Sequence, residues 1–393
     1  MSEIRVEESK AVPVVRAKVS AASMLTFLSA GFILFLLTTG IFSRPVTNPP
    51  SFPLFWASGA AATKGLNPYL AYPDTFYTHD IIGRKIRPVA EINLNPPSML
   101  PFFQALSHLP IQRYAHVWAV GSFLMLLGTV ALLMWNRPEI QKRQIIWLLL
   151  SAPAIITLTG NQIYFFLFLL CTLALLSVES GGKTGAVIAI GLVVAIKPTM
   201  AYWPFFLFFG GYRRLSLRAF GVALAFSTAP LLLYGPRVYR EWMNAVARDD
   251  HWISSTNMAI PAYFGRLGFR SVSLVLAVVL AIFLAWLAYK KKPGFVTISC
   301  LALCAGILCA PISWVDYALL LAPYFLSRRW NIFSTLAAAL LMVPPVVAGT
   351  LSRPDGKLGM AMGSGIYFAA FWMILIVFTR RIGSQSNCDA ALV

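Results

Sequence analysis

"SVSLVLAVVLAIFLAWLAY", residues 271–289, contains no charged residue and no proline, and it ends on "KKKP" at 290–293. Its length matches the ~20 residues with which an α-helix crosses ~30 Å of hydrocarbon. A second such run, "MLTFLSAGFILFLLTTGIF", occupies 24–42. Of the 393 residues, 58% are hydrophobic and 12% charged, with a mean hydropathy of +0.72. A soluble domain carries about twice that charged fraction. The chain therefore reads as an all-α polytopic membrane protein.

The net charge of +18 is distributed to fit that reading. Lys and Arg gather in short connectors: "NRPEIQKRQ" (136–144), "YRRLSLR" (212–218), "KKKP", "SRRW" (327–330) and "TRRIG" (379–383). This is the positive-inside pattern of cytoplasmic loops, and no nucleic-acid partner is expected. Residues 1–20 read as a cytoplasmic tail, 21–43 as an uncleaved first span, 21–380 as one integral membrane domain and 381–393 as a second cytoplasmic tail. Four of the five cysteines, Cys171, Cys300, Cys304 and Cys309, lie in apolar spans, and Cys388 lies in the tail. None is placed to staple an external loop or, lacking a nearby His, to hold a metal.

Alternating connectors define a bundle of about twelve transmembrane or re-entrant helices, several of them shorter than the ~17 residues of a straight crossing. The short segments 145–159, 183–196, 199–210 and 314–327 meet at "LTGNQ" (158–162), "IKPT" (196–199) and "APISW" (310–314). Irregular backbone at membrane depth is tolerated where it lines a cavity or packs in protein, so these three breaks are expected to converge on one recess. Two external loops are larger, 44–112 and 235–270. The first holds an interfacial helix over 54–64, with Phe55 and Trp56 at the belt position and Gly65 as its stop. Further on, Asn95-Pro96-Pro97 opens a second apolar helix too short to cross.

Ionisable groups within apolar segments are costly and mark function. Lys197, in "VVAIKPTM", and Asp316, in "PISWVDYALLLAP", are the two that stand out; the plainer alternatives are a snorkelling lysine and a capping aspartate. In the second loop, Arg237, Arg240, Arg248 and Arg266 are candidates for a phosphate. Asp249-Asp250-His251 lacks metal-ligand spacing, and consecutive side chains on one element diverge. His79, His108 and His116 stand alone. No Gly-rich nucleotide loop is present, and no cofactor or metal is indicated.

In order, the chain carries "SFPLFWASGAAATKGLNPY", "NLNPPSMLPFFQALSHLP", "LTGNQIYFFLFLLCTLALL", "KTGAVIAIGLVVAIKPTMAYWPFFLF" and "APISWVDYALLLAP". From about residue 21 to 330 this series resembles glycosyltransferase family 87, the GT-C membrane enzymes that include polyprenol-phosphate-mannose-dependent mannosyltransferases. The resemblance implies a GT-C-like helical bundle and hexose transfer from a polyprenyl-phosphate sugar to a lipid or glycan acceptor, on the external face of a bacterial inner membrane. It implies that Lys197, at the family's lysine-proline motif, faces the leaving phosphate, aided by Arg237, Arg240 and Arg266. Asn161 and Gln162 would bind sugar hydroxyls, Trp56, Trp252 and Trp314 would stack on sugar faces, an apolar groove would hold the polyprenyl tail, and Asn95 counts among the substrate-binding residues.

Two positions depart from the family pattern. Ser51 stands in the substrate-binding first motif where members commonly carry an acid, and Asp316 stands where many carry His. A serine cannot serve alone as a base, so the base falls to Asp316, Asp74 or Asp250, in that order. The alternatives are a lipid or sugar transporter or flippase, and a catalytically altered member of the family.

Overall fold

The computed structural model describes residues 52–70, 92–160, 162–248, 257–351 and 357–382. Among these, the secondary structure is helical apart from one isolated bridge between Asn257 and Trp314. In chain order the helices are α1 (Phe52–Thr63), α2 (Leu100–Ser107), α3 (Ile111–Asn136), α4 (Lys142–Leu150), α5 (Ala152–Thr159) and α6 (Tyr164–Glu179). Next come α7 (Lys183–Ile196), α8 (Tyr202–Phe209), α9 (Arg213–Tyr234), α10 (Arg237–Arg248), α11 (Ile260–Arg266) and α12 (Arg270–Lys291). The chain then forms α13 (Phe295–Leu308), α14 (Ala318–Leu326), α15 (Ile332–Leu341), α16 (Pro345–Leu351) and α17 (Lys357–Arg381).

Four of the described helices, α3, α9, α12 and α17, are long and apolar enough to cross a membrane. The pair α15 and α16 would make a fifth crossing, bent by 82°. Its break falls at Pro344-Pro345, where the missing N–H groups and the ring clash stop a helix. Of the roughly twelve transmembrane or re-entrant helices expected, the described residues show four or five candidate spans, beside shorter apolar helices such as α6, α7 and α13. Segment 145–159 is two helices rather than one, interrupted where Ser151 is extended ahead of Pro153. The first span, 21–43, lies outside the described residues.

Burial sorts these helices. The opening stretch forms α12, whose Val275, Val279 and Ile282 are exposed; it lies at the bundle's edge, its apolar surface turned outward. Helix α13 is apolar all round and buried along almost all of its length, as such a helix must be. It packs against α8, α12, α14 and α17, and with α6 and α14 it forms the centre. Its Gly306 brings the turn Pro198–Ala201 close, since a Cβ there would stand 3.0 Å from the Thr199 carbonyl oxygen.

The expected interfacial helix is α1. Leu66 N–H donates to Ala61 O at 2.9 Å, closing the helix around Gly65, whose φ of +67° favours glycine. Asn67 then accepts from Tyr69 N–H at 2.8 Å, and Ser58 Oγ donates to the Pro68 carbonyl. Helix α1 lies directly on α2: Phe55 stacks on Phe103 at 4.7 Å, and a Cβ on Gly59 would stand 2.2 Å from Phe103 O. Pro97–Met99 forms a short 3₁₀ turn leading into α2, so Asn95-Pro96-Pro97 opens a helix as its sequence implies.

Candidate functional site

Pro198 disfavours helical backbone at Lys197, and α7 ends there: Lys197 turns to φ −131°, ψ 87° while its N–H still donates to Val193 O at 2.8 Å. This leaves the side chain at a break between α7 and α8. Segment 92–99 lies against the same break, with Ser98 Oγ donating to Ala195 O at 2.5 Å. Within it, Asn93 Oδ1 accepts from both the Asn95 N–H, at 3.0 Å, and Asn95 Nδ2, at 2.9 Å. That double contact fixes the Asn95 amide so that its own Oδ1 accepts from Lys197 Nζ at 3.0 Å.

Two tyrosines complete the surroundings of the ammonium. Lys197 Nζ lies 5.1 Å from the Tyr164 ring centroid and 5.5 Å from that of Tyr317, and the two rings are 4.9 Å apart. Ring faces at this range attract a cation. Tyr164 is the first residue of α6, just past "LTGNQ", and Tyr317 belongs to the turn Val315–Tyr317 that leads into α14. The three breaks therefore meet, with α5 also packed on that turn.

Asp316 sits in the same turn, 2% exposed. Its carboxylate interacts with the Lys197 charge, yet the pair is absent from the contact ion pairs among the described residues. Asp316 Oδ1 has no hydrogen-bond partner, and neither do Thr157 Oγ1, Thr199 Oγ1, Ser313 Oγ and Asn93 Nδ2. Buried polar atoms are nearly always paired. Five unpaired ones at the converging breaks and the segment beside them form a buried polar cluster around Lys197.

The turn carrying Asp316 is held from behind by Asn257. Asn257 Oδ1 accepts from Ser313 N–H at 3.0 Å and Ala259 N–H at 3.2 Å, while its Nδ2 donates to Pro311 O at 3.1 Å. Arg266 closes the arrangement, donating to Asn257 O at 2.9 Å. It is 5% exposed, and burial lowers its guanidinium to about 10, still protonated at neutral pH.

Residues 93–311 match the family model of glycosyltransferase family 87. The chain belongs to glycosyltransferase family 87. It is a membrane protein with the glycosyltransferase activity that the family indicates. The matched span holds Asn95, Tyr164 and Lys197 and stops short of Asp316. No curated protein and no solved structure matches the chain.

Among the residues singled out from sequence, Lys197, Asp316 and Asn95 come together. Gln162 lies beside them, its N–H bonded to Thr157 O at 3.0 Å, and Trp314 forms the bridge with Asn257 two residues before Asp316. Others stand apart. Trp56 donates its indole N–H to Leu109 O at 2.9 Å, joining α1 to the start of α3. Arg237 and Arg240 are on the exposed face of α10, where Arg237 pairs with Glu241 at 2.6 Å. The opposite face of that helix carries Val238, Trp242 and Ala245 onto α2 and residues 62–69, and Trp242 Nε1 donates to Leu94 O at 3.0 Å. Arg266 has the position of a brace for the 310–316 turn, bonded to Asn257 behind it. Ser51, Asp74, Asn161, Asp250 and Trp252 lie outside the described residues.

Tyr164 and Tyr317 were not recognisable as site residues, because tyrosine within an apolar run reads as packing. Their one sequence signal is proximity: each comes two or three residues after a polar break.

Proposed function

We propose that this protein transfers a hexose, mannose-like, from a polyprenyl-phosphate sugar to a lipid or glycan acceptor, with inversion, on the external face of a bacterial inner membrane. The observation that carries the reading is Lys197, held by Asn95 beside two adjoining tyrosine rings and facing the buried Asp316 without a contact ion pair. A cation and a carboxylate held apart in this way suit a single displacement. The acceptor oxygen bonds to the anomeric carbon, the bond from that carbon to the phosphate oxygen breaks, and its electron pair leaves with the phosphate. Asp316 takes the acceptor proton, and Lys197 opposes the charge growing on the phosphate. A phosphate leaves without protonation, so one base suffices, unlike the paired carboxylates of a glycoside hydrolase.

The lipid half of the donor has a place in this reading. A groove of about 360 Å³ runs between α8 and α12, lined by Tyr202, Phe205, Phe209, Ile282 and Trp286. It starts one turn beyond Pro198 and is apolar, which suits a polyprenyl tail. The basic connectors support a topology with both termini in the cytoplasm by the positive-inside rule, in which the three breaks face outward.

The test is incubation of the purified protein with radiolabelled polyprenyl-phosphate hexoses and membrane glycolipid extract. The expected result is labelled glycolipid together with released polyprenyl phosphate in equal amount. Absence of transfer from every donor would contradict the reading and favour a transporter or flippase.

A further inference from the structure

A cavity of about 730 Å³ opens at the other end of α7 from Lys197. Helix α7 spans 14 residues, which at 1.5 Å per residue puts the two sites ~21 Å apart. The cavity has the volume of an ordinary ligand pocket, and its lining includes Arg137, Lys183, Arg213, Arg214, Arg218 and Arg328. The carboxylate in that lining, Glu179, is already taken by Arg137, whose Nε donates to it at 2.9 Å. Lys183, Arg213, Arg214 and Arg218 form no ion pair among the described residues.

The backbone adds charge of the same sign. Helices α7, α9 and α13 each begin at this cavity, at Lys183, Arg213 and Phe295. None of the three has an acidic residue in its first turn or an N-cap residue whose side chain caps it. The side chain that reaches the first turn of α7 is the neutral Ser177, whose Oγ accepts from Ala186 N–H at 3.2 Å. The positive ends of three helix dipoles thus meet several cations in one concavity. Determining topology requires basic residues in a connector; it does not require them to converge on a cavity. The remaining walls are apolar, with Val178, Val187, Leu215, Phe295 and Val296 among them.

We propose that this cavity binds the phosphate headgroup of an anionic membrane phospholipid, with the start of its acyl chains against the valine, leucine and phenylalanine wall. Basic pockets between transmembrane helices on the positive side of a membrane protein take such headgroups. A free phosphate would use the cations but leave the apolar wall without a partner, and for that reason the lipid is preferred.

The test uses the full-length protein in detergent and native mass spectrometry of bound phosphatidylglycerol against phosphatidylcholine, with millimolar inorganic phosphate as competitor. Wild type is expected to favour phosphatidylglycerol by roughly tenfold or more, at about fivefold per cation engaged. R214Q/R218Q is expected to lose most of that preference. K142Q/R143Q, with the same charge removed from the neighbouring exposed connector, is expected to keep it, and inorganic phosphate is expected not to displace the lipid. Lys183→Gln, at an exposed helix start, provides a milder variant with a partial loss should the double variant fail to fold. Equal binding of the two lipids, or equal losses in R214Q/R218Q and K142Q/R143Q, would overturn the site. Displacement by inorganic phosphate would overturn the lipid as its ligand.

Discussion

Lys197 Nζ donates to Asn95 Oδ1 at 3.0 Å, across 102 residues of sequence. Because Asn93 fixes the Asn95 amide from the other side, the ammonium is aimed and not merely accommodated. Asn95→Ala should leave the fold intact and lower kcat/KM by about tenfold, the effect of losing one hydrogen bond to a charged group. Transfer kinetics beside a melting curve check this; unchanged kinetics would mean that Lys197 is positioned by other contacts.

Asp316→Asn keeps the shape of the side chain and removes its ability to accept a proton. On the proposed mechanism kcat falls by ~10²–10⁴, the usual contribution of a general base, with little change in donor KM. Full activity in this variant would move the base to another carboxylate, Asp74 or Asp250.

Asn257 serves the site indirectly. Asn257→Ala removes the acceptor of Ser313 N–H and Ala259 N–H, both buried. Stability should fall by about 1–3 kcal/mol for each donor left unsatisfied. Transfer should slow as well, because the 310–316 turn positions Asp316. A melting temperature equal to wild type would contradict this bracing role.

Gly59→Ala tests the packing of α1 on α2. The added Cβ would stand 2.2 Å from Phe103 O and 2.5 Å from its carbonyl carbon, backbone atoms that cannot swing away. A loss of about 1–3 kcal/mol is expected, as for other overpacked contacts. Thermal unfolding in detergent measures it, and an unaltered midpoint would show that the two helices can separate freely.

Much of this was readable in the sequence where proline and glycine punctuate apolar runs. Pro198 ends α7 and exposes Lys197, Gly65 ends α1, and Pro96-Pro97 opens the turn before α2; each acts through local backbone sterics. The meeting of the three breaks was also legible, since irregular backbone in an apolar setting has to find protein or polar partners. What required the fold was direction and depth. Arg266 and Arg237 look alike in sequence, yet one is buried against Asn257 and the other is exposed beside Glu241. Tyr164 and Tyr317 gain meaning only from the cation that tertiary packing puts beside both rings. The apolar run 145–159 suggests one helix, but Pro153 is disfavoured in a helix interior and tolerated in a first turn, so a new helix starts after the extended Ser151.

The most direct test of the central claim replaces Lys197 and measures hexose transfer from a radiolabelled polyprenyl-phosphate donor, with Lys197→Met and Lys197→Arg purified and assayed beside wild type. If the ammonium stabilises the leaving phosphate, Lys197→Met loses ~10²–10³ in kcat while Lys197→Arg, which keeps the charge, retains part of the activity. Transfer by Lys197→Met at the wild-type rate would contradict the account.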